Sequence, residues 1–264
     1  MNGRVLIIAG SDSGGGAGIQ ADIKTVTMLG GFAATAITAL TAQNTLGVHG
    51  ILGIDPAFIR QQMQVVLRDI GADCLKTGML HSAEVIEAVA ATIEEDAAGV
   101  KLVVDPVMVA KGGAALLQDS AAHALITRMV PKATVLTPNL PEAAALTGLE
   151  VADLGGMRRA GAALLELGAK AVLVKGGHLD GPVLHDLLLT GDGEHVFESR
   201  RIETRHTHGT GCTLASAIAT GLAQGMTVVD SVARAREYVH RAIASAPGLG
   251  QGHGPLDHGH PLGP

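Results

Sequence analysis

The sequence predicts an α/β fold in which a largely parallel sheet is covered on both faces by helices. Apolar, β-branched runs alternate with helical patterns along almost all of the 264 residues. The strands are apolar on both faces, which is typical of parallel strands buried between layers of helices. No linker or internal repeat interrupts this pattern. We therefore expect one domain over residues 1–247, followed by a tail rich in Gly, Pro and His over residues 248–264.

Short apolar runs bounded by turn residues define the predicted strands. They lie at 4–9, 32–42, 74–79, 101–107, 134–138 and 171–176. A weaker segment at 47–54 fits an edge strand or a loop, and segments 183–190 and 195–203 predict an antiparallel hairpin. Helices are predicted at about 19–29, 56–68, 82–95, 119–129, 140–147, 153–167, 212–224 and 228–245. Asp55 is expected to cap the second helix, and Pro56 to begin it.

The composition excludes several classes of function. Aromatic residues make up only 2% of the chain, which argues against single-stranded nucleic-acid binding on stacking platforms. The net charge is −6 and no basic tract is present, so neither nucleic acid nor a membrane surface is an expected partner. No apolar stretch reaches 18 residues. The two cysteines are far apart and no secretory signal precedes them, which favours a reducing cytoplasm.

Polar residues follow almost every predicted strand. Ligands bind outside the carboxyl ends of parallel strands in such sheets, so this clustering predicts an active site at one edge of the sheet. The residues that follow the strands include Gly10, Ser11, Asp12, Gln43, Asn44, Met79, Asp105, Val107, Asn139, Glu142 and Lys175.

The glycine run after the first strand matches a dinucleotide fingerprint only in part. Gly16, Gly18 and Ala21 fit the pattern GxGxxA between a strand and a helix. However, a turn separates Ala9 from the glycines, and no acidic residue ends a second strand about 20 residues on. We expect instead a turn around a small ligand. The chain also has no GxxxxGK[ST] motif, so it is not a Walker-type NTPase.

A second glycine element, HGTGCT at 208–213, precedes an apolar helix. Gly209, Thr210 and Gly211 would allow successive backbone N–H groups to point at one spot, and the helix N-terminus adds partial positive charge. This predicts a phosphate-binding anion hole beside the thiol of Cys212. The alternative is an ordinary glycine-rich helix entry with a buried cysteine.

Four residues at the strand ends suit a phosphate or metal site, and for three of them a purely structural role is also open. Asn139 and Glu142 form a capping-box pattern, which alone would account for both. Lys175 suits polyphosphate or is a solvated strand end. Asp105 ends a buried strand and requires a cation, for which Mg²⁺ and a lysine are the candidates.

Gln43 offers an acceptor and a donor side by side, which suits an aminopyrimidine or a pyridine alcohol. Met79 would supply an adaptable apolar wall. Cys74 is interpreted as a core residue, and most histidines outside the tail as surface residues. His253, His258 and His260 could indicate a metal, but a loose surface tail is favoured because no nearby acid or cysteine completes a ligand set.

Seven segments resemble one known family, in this order and spacing: AGSDSGGGAGIQADIKT, ALTAQNT, KTGML, DPVMVAKGG, LTPNLPEAAALTG, VKGGH and THGTGCT. The chain resembles the hydroxymethylpyrimidine/phosphomethylpyrimidine kinases of the ribokinase-like superfamily over about residues 4–255. The resemblance implies a three-layer α/β/α sandwich, a homodimer, and ATP with Mg²⁺ as the phosphoryl donor. It also implies two transfers in thiamine biosynthesis, from 4-amino-5-hydroxymethyl-2-methylpyrimidine to its monophosphate and then to its diphosphate.

The resemblance also implies roles for individual residues. Those implied for the substrate pocket are Gln43, which reads the pyrimidine, with Gly10, Asp22, Met79 and Val107. Those implied for metal and ATP phosphates are Asp105, Glu142, Asn139 and Lys175. Those implied for the anion hole and the catalytic position are Gly209, Thr210, Gly211 and Cys212.

Two alternatives to this function remain, a pyridoxal or pyridoxine kinase of the same family and a non-catalytic pyrimidine-binding sensor. Sugar kinases of the superfamily use an aspartate base where this chain has Cys212. We hypothesise that a thiol avoids repelling the second acceptor, a phosphate monoester, and still acts as a base towards the first, an alcohol.

Overall fold

The computed structural model describes residues 1–108, 116, 121–177, 179 and 181–263. Within these residues one sheet contains the strands β1 (Arg4–Asp12), β2 (Phe32–Asn44), β3 (Gly47–Gly53), β4 (Cys74–Thr77), β5 (Lys101–Val104), β6 (Val135–Leu136), β7 (Ala171–Val174), β8 (Val183–Thr190) and β9 (Gly193–Arg200). Their order across the sheet is β3-β2-β1-β4-β5-β6-β7-β8-β9.

The six central strands are parallel, and the antiparallel strands lie at the two ends of the sheet. β2, β1, β4, β5, β6 and β7 pair in parallel, whereas β3 joins β2, and the β8–β9 hairpin joins β7, in antiparallel fashion. The predicted mostly parallel sheet is therefore confirmed, and the weak segment at 47–54 is an edge strand. Because the central strands are parallel, their carboxyl ends meet at one edge.

Helices cover both faces of this sheet. They are α1 (Gly18–Met28), α2 (Pro56–Asp69), α3 (Ala83–Asp96), α4 (Ala121–Ala124), α5 (Leu140–Thr147), α6 (Leu154–Glu166), α7 (Thr210–Ala223) and α8 (Val228–Ala244). A π-helical turn at Leu125–Met129 continues α4, and short 3₁₀ turns lie at Val130–Lys132 and His260–Leu262. In the part of the chain that the structure describes, no helix is both long enough and apolar enough to cross a bilayer.

The two faces of β1 belong to different cores, as its alternating side chains require. Leu6 and Ile8 pack in the core that contains residues of α2, α3, α5 and α6. Val5, Ile7 and Ala9 pack in the core on the other face, with residues of α1, α7 and α8. The chain is thus a three-layer α/β/α sandwich, as the sequence predicts.

Several boundaries differ from the prediction near the carboxyl edge of the sheet. β4, β5, β6 and β7 end earlier than predicted, and β6 has only two residues, because the chain leaves the ladder there and enters the rim. β1 instead continues to Asp12, which pairs with Thr41 of β2. α7 begins at Thr210, two residues earlier than predicted. The predicted helix start at Asp119 and part of the DPVMVAKGG segment lie outside the described residues.

The prediction of a loose tail is wrong. Leu256 and His258 are buried, and Tyr238 Oη donates a 2.7 Å hydrogen bond to His258 O. The tail also approaches the β2–β3 turn, where His253 N donates to Thr45 O at 2.8 Å. A Cβ at Gly252 would lie 2.0 Å from Thr45 O, so the glycine permits the close approach of two backbones. The glycines of this segment therefore serve packing.

Candidate active site

The predicted anion hole lies at the N-terminus of α7. Gly209 is the N-cap residue and has φ +85°, a left-handed conformation that favours glycine. A Cβ at this position would lie 1.8 Å from Gly16 O, which excludes any larger residue. Thr210, Gly211 and Cys212 form the first helical turn, whose N–H groups have no acceptor within the helix, although Thr210 N makes a long 3.4 Å bond to Thr207 O. These N–H groups and the helix dipole favour an anion in front of Cys212.

A buried cluster of one lysine and two carboxylates lies beside this helix start. Lys175 Nζ is 3.1 Å from Asp105 Oδ1 and 3.9 Å from Glu142 Oε2. Thr137 Oγ1 also donates to Asp105 Oδ1, at 3.2 Å. A Cβ at Gly211 would lie 3.4 Å from Lys175 Nζ, so the anion hole and the cluster adjoin each other. The cation that Asp105 was predicted to require is thus Lys175 in this structure.

Asn139 and Glu142 form the complete capping box at the start of α5. Asn139 Oδ1 accepts from Glu142 N at 2.9 Å, and Glu142 Oε2 accepts from Asn139 N at 2.8 Å. Burial raises the pKa of Glu142 to about 7, and Asp105 adds to this shift, whereas Lys175 opposes it. The capping role and a place in the cluster are therefore compatible.

The chemistry of this cluster suits Mg²⁺. Mg²⁺ prefers oxygen ligands and is usually held by one or two carboxylates together with waters and substrate phosphates. Asp105 and Glu142 supply two such carboxylates next to the anion hole. Among the described residues no group of three or more His, Cys, Asp and Glu side chains could hold a metal by itself, so substrate phosphates would have to complete the coordination.

The glycine-rich turn between β1 and α1 is organised by Asp12. Its carboxylate accepts hydrogen bonds from Gly14 N at 2.8 Å, Gly16 N at 3.1 Å and Ala17 N at 2.8 Å. Burial works to raise the pKa of Asp12, but bonds from His208 and from the backbone outweigh it, and the pKa is lower than usual. Because a carboxylate already occupies these N–H groups, they cannot cradle a pyrophosphate, which argues against dinucleotide binding.

His208 joins this turn to Gln43, and sequence reasoning missed it. His208 Nε2 lies 2.9 Å from Asp12 Oδ2 and 3.2 Å from Gln43 Nε2. One nitrogen cannot donate to Asp12 and also accept from an amide N–H. A proton on His208 Nε2 therefore favours the orientation in which the amide oxygen of Gln43 faces the ring. The sequence signal that could have indicated a role for His208 at the site is its position directly before Gly209 of the anion hole.

Two of the four other predicted pocket residues lie together at the end of β1. A Cβ at Gly10 would lie 3.1 Å from Met79 Sδ, so the two residues are in contact range. Thr38 Oγ1 donates to Met79 O at 2.6 Å and holds that segment against β2. Val107 is half-buried, and its N–H donates to Asp105 O at 2.8 Å.

Asp22 occupies a different position from the other pocket candidates. Its side chain is 0% exposed, and Lys76 and Ser216 donate to its oxygens. The resemblance implies that Asp22 belongs to the substrate pocket, but its side chain is fully buried and has no surface open to a ligand.

Cys212 is half-buried in the first turn of α7. Burial raises the pKa of its thiol to about 12, Lys76 lowers it, and Asp22 and Asp105 raise it. The thiol is therefore neutral at pH 7 in the free protein. Cys74 is fully buried, as predicted, and burial raises its pKa to about 12 as well.

The family profile described as phosphomethylpyrimidine kinase matches residues 12–257. The chain belongs to the phosphomethylpyrimidine kinase family. Family membership confirms the predicted class of enzyme, a phosphotransferase. The match includes the anion hole, Gln43 and the Lys175 cluster, and it extends into the C-terminal segment.

Curated relatives from bacteria share about half of their residues with this chain. The thiamine biosynthesis bifunctional protein ThiED of Geobacter sulfurreducens is 54% identical over 97% of this chain, which spans about half (52%) of that protein. The hydroxymethylpyrimidine/phosphomethylpyrimidine kinase of Streptomyces coelicolor is 52% identical, over 98% of this chain and 95% of that protein.

Among solved structures, an ADP complex of Bacillus subtilis pyridoxal kinase superimposes with a TM-score of 0.89. It is 38% identical to this chain and covers 98% of both chains. The predicted ribokinase-like fold is confirmed by such neighbours.

Proposed function

We propose that this protein is an ATP-dependent kinase of thiamine biosynthesis. Its first substrate is 4-amino-5-hydroxymethyl-2-methylpyrimidine, which it converts to the monophosphate and then to the diphosphate. The observation that carries the proposal is the adjacency of three groups at one edge of the sheet. The anion hole adjoins Lys175 on one side, and through His208 it adjoins Gln43 on the other.

The Gln43 side of the edge suits the pyrimidine. A carboxamide pairs its oxygen and its N–H₂ with the amino group and the ring nitrogen of an aminopyrimidine. Met79, beside Gly10, offers a flexible apolar surface for the ring and its methyl group. In this proposal Val107 lines the pocket. Asp22 does not touch the substrate and supports the pocket through its bonds to Lys76 and Ser216.

The Lys175 side suits the phosphates of ATP. The N–H groups of the first turn of α7 would bind the transferred phosphoryl group, and Lys175 would balance its charge. Asp105 and Glu142 would hold Mg²⁺, and Asn139 would keep Glu142 in place through the capping box. When bound, Mg²⁺ supplies positive charge to the phosphate oxygens.

The proposed role of Cys212 depends on its protonation. Phosphoryl transfer requires mainly positioning and charge balance, so a base contributes only to removal of the alcohol proton. A neutral thiol cannot accept that proton. Cys212 can therefore act as a base only where nearby positive charge supports its thiolate, and Lys76 supplies such a charge.

The assembly and the location of the protein are also proposals. Leu40 and Leu52 are a cross-strand pair on β2 and β3, and they are 42% and 64% exposed. Leu46 in the connecting turn is exposed as well. This apolar edge supports a homodimer, which light scattering would test. Both cysteines are free thiols, which supports a cytoplasmic location.

The decisive experiment is a mass-spectrometric assay of the purified protein with ATP, Mg²⁺ and the hydroxymethyl pyrimidine. We expect the monophosphate to appear first and the diphosphate to follow. The likeness to a pyridoxal kinase favours pyridoxal as the second candidate substrate, so the assay is repeated with pyridoxal under the same conditions. Faster turnover of pyridoxal than of the pyrimidine would overturn the assignment.

A further inference from the structure

A fully buried ion pair lies behind the anion hole. Lys76 Nζ is 2.9 Å from both carboxylate oxygens of Asp22, and both side chains are 0% exposed. Burying two charges costs so much desolvation free energy that such a pair often stabilises a protein no more than apolar residues of the same size. The stability of the fold therefore does not account for the pair, and its position suggests another role.

The pair connects three elements, one of which is α7, the helix that carries Cys212. Lys76 lies on β4 and Asp22 on α1, and Ser216 of α7 donates a 2.7 Å hydrogen bond to Asp22 Oδ1. Ser216 follows Cys212 by four residues, so both side chains lie on the same face of α7. The hydrogen-bonded chain from Lys76 through Asp22 thus ends one helical turn from the thiol.

The Lys76 ammonium also lies beside the wall of the substrate pocket. A Cβ at Gly78 would lie 3.1 Å from Lys76 Nζ, and Gly78 directly precedes Met79. The absence of a side chain at this position leaves room for the ammonium at the end of β4. Lys76 therefore lies between the apolar core and the edge of the sheet that carries the site.

Four charged groups from four parts of the chain act electrostatically on Cys212. Lys76 of β4 favours its thiolate, whereas Asp22 of α1 and Asp105, after β5, oppose it. Lys175, after β7, also interacts electrostatically with Cys212. Lys175 is already shared between Asp105 and Glu142. Among these groups, Lys76 does most to lower the pKa of the Cys212 thiol.

We propose that Lys76 is a positioning residue for Cys212. The ammonium of Lys76 stabilises the thiolate of Cys212, and Asp22 holds the ammonium in place and limits this effect. Ionisation of Cys212 releases its proton to solvent in the free protein. The catalytic consequence rests on the proposed function, but the effect on the thiol exists without any substrate. It can therefore be measured independently of kinase activity.

The test is the rate at which iodoacetamide alkylates Cys212 between pH 7 and pH 10, in a Cys74→Ala background that leaves one thiol. Lys76→Gln should slow alkylation by about tenfold or more at pH 9, because one unit of pKa changes the thiolate fraction tenfold. Asp22→Asn should accelerate it. Lys101→Gln, at the opposite end of the neighbouring strand β5, is the matched control and should leave the rate unchanged.

The proposal predicts slower alkylation in Lys76→Gln and faster alkylation in Asp22→Asn, and this difference in direction distinguishes it from a general loosening of the site. Loosening would expose the thiol and accelerate alkylation in both variants, and that outcome would overturn the proposal. An unchanged rate in Lys76→Gln would also overturn it. If either single variant fails to fold, the double variant Asp22→Asn with Lys76→Gln keeps a neutral hydrogen-bonded pair. The double variant removes both charges, and the proposal expects the loss of Lys76 to outweigh the loss of Asp22. Alkylation that is slower than in the parent would therefore support the proposal. A rate within twofold of the parent, or a faster one, would overturn it.

The kinase assay distinguishes failure of this proposal from failure of the proposed function. A parent protein that does not phosphorylate the pyrimidine would overturn the function and leave the alkylation result standing. If the parent is active and Lys76 supports the thiolate, Lys76→Gln should lower kcat for the alcohol and leave its KM within about twofold. Restored alkylation in Lys76→Arg would show that the charge is what matters.

Discussion

Lys175 Nζ lies 3.1 Å from Asp105 Oδ1, so two residues that follow different parallel strands form an ion pair at the entrance to the anion hole. Lys175 N also donates to Pro138 O at 2.8 Å, which ties the end of β7 to the end of β6. The lysine thus holds the site together in the free protein and is positioned to face phosphate in the proposed complex.

Lys175→Met should impair both stability and phosphate binding. Loss of the ammonium leaves Asp105 and Glu142 buried without their cation, which costs about 3–5 kcal/mol in the free energy of unfolding. Urea denaturation measures this loss, and a nucleotide titration measures the weakened ATP binding. Lys170→Met, an exposed lysine just before β7, is the control and should stay within about 0.5 kcal/mol of the parent. A Lys175→Met protein with parental stability and ATP affinity would refute the assigned role.

Glu142→Gln should change the pH dependence of stability. Burial raises the pKa of Glu142 to about 7 in the folded protein, from 4.5 without burial. The folded state therefore binds the proton more tightly, so this contribution to stability is full below about pH 4.5 and is lost as the pH rises through about 7. Gln keeps the cap but cannot ionise.

The variant should therefore gain about 2–3 kcal/mol relative to the parent between pH 5 and pH 8. Chemical denaturation across that pH range is the measurement, with the exposed Glu150→Gln as control. Turnover should fall and its Mg²⁺ dependence should shift. A normal metal requirement would indicate that Glu142 serves only as a cap.

Gln43→Leu should impair use of the pyrimidine and leave ATP binding nearly unchanged. Two hydrogen bonds worth about 0.5–1.5 kcal/mol each would be lost, which raises KM for the pyrimidine by about 10- to 100-fold. Steady-state kinetics with each substrate varied in turn gives both constants. Gln61→Leu, exposed on α2, controls for the substitution itself. Unaltered pyrimidine affinity in Gln43→Leu would remove this residue from the pocket.

Cys212→Ala should separate the two transfers. The first acceptor is an alcohol whose proton must be removed, and a base typically contributes about 100- to 10,000-fold to such a step. The second acceptor is an ionised phosphate oxygen that needs no base. We expect the first rate to fall much more than the second when both are measured separately, with Cys74→Ala as the control. Equal losses in both rates would mean that Cys212 only shapes the loop.

Leu256→Ala should show that the C-terminal segment belongs to the fold. Leu256 is 3% exposed, and truncation of a buried leucine costs about 2–5 kcal/mol. Leu262 is 77% exposed in the same segment, so Leu262→Ala should cost less than about 0.5 kcal/mol. Urea denaturation measures both stabilities. Equal stability of the two variants would indicate that the C-terminal segment does not pack on the fold.

Local patterns predicted the layers and the order of the strands along the chain. The alternation of Leu6 and Ile8 with Val5 and Ile7 required two cores, one on each face of β1. Parallel strands then required one common carboxyl edge, where Gln43, Asp105, Asn139 and Lys175 were expected. The inferences about the layers and the common edge succeed because strand and helix periodicities follow from backbone geometry, whereas the place of a ligand at that edge stays a prediction.

Partners of buried polar groups were less predictable. His208 lies beside Asp12 although 196 residues separate them, and Lys76 meets Asp22 across 54 residues. Local composition gave no sign of either pair. The glycines of the tail predicted a loose segment, whereas in the structure they permit close packing.

The sequence by itself determined the fold class, and it predicted the anion hole and the edge of the sheet for the site, because each depends on neighbours in the chain. Only the tertiary structure decided which charges meet there, that Asp22 is buried with Lys76 and that Cys212 is a neutral thiol. Those properties depend on strand order, register and burial, which bring together side chains from distant segments and set the free energy of their charges.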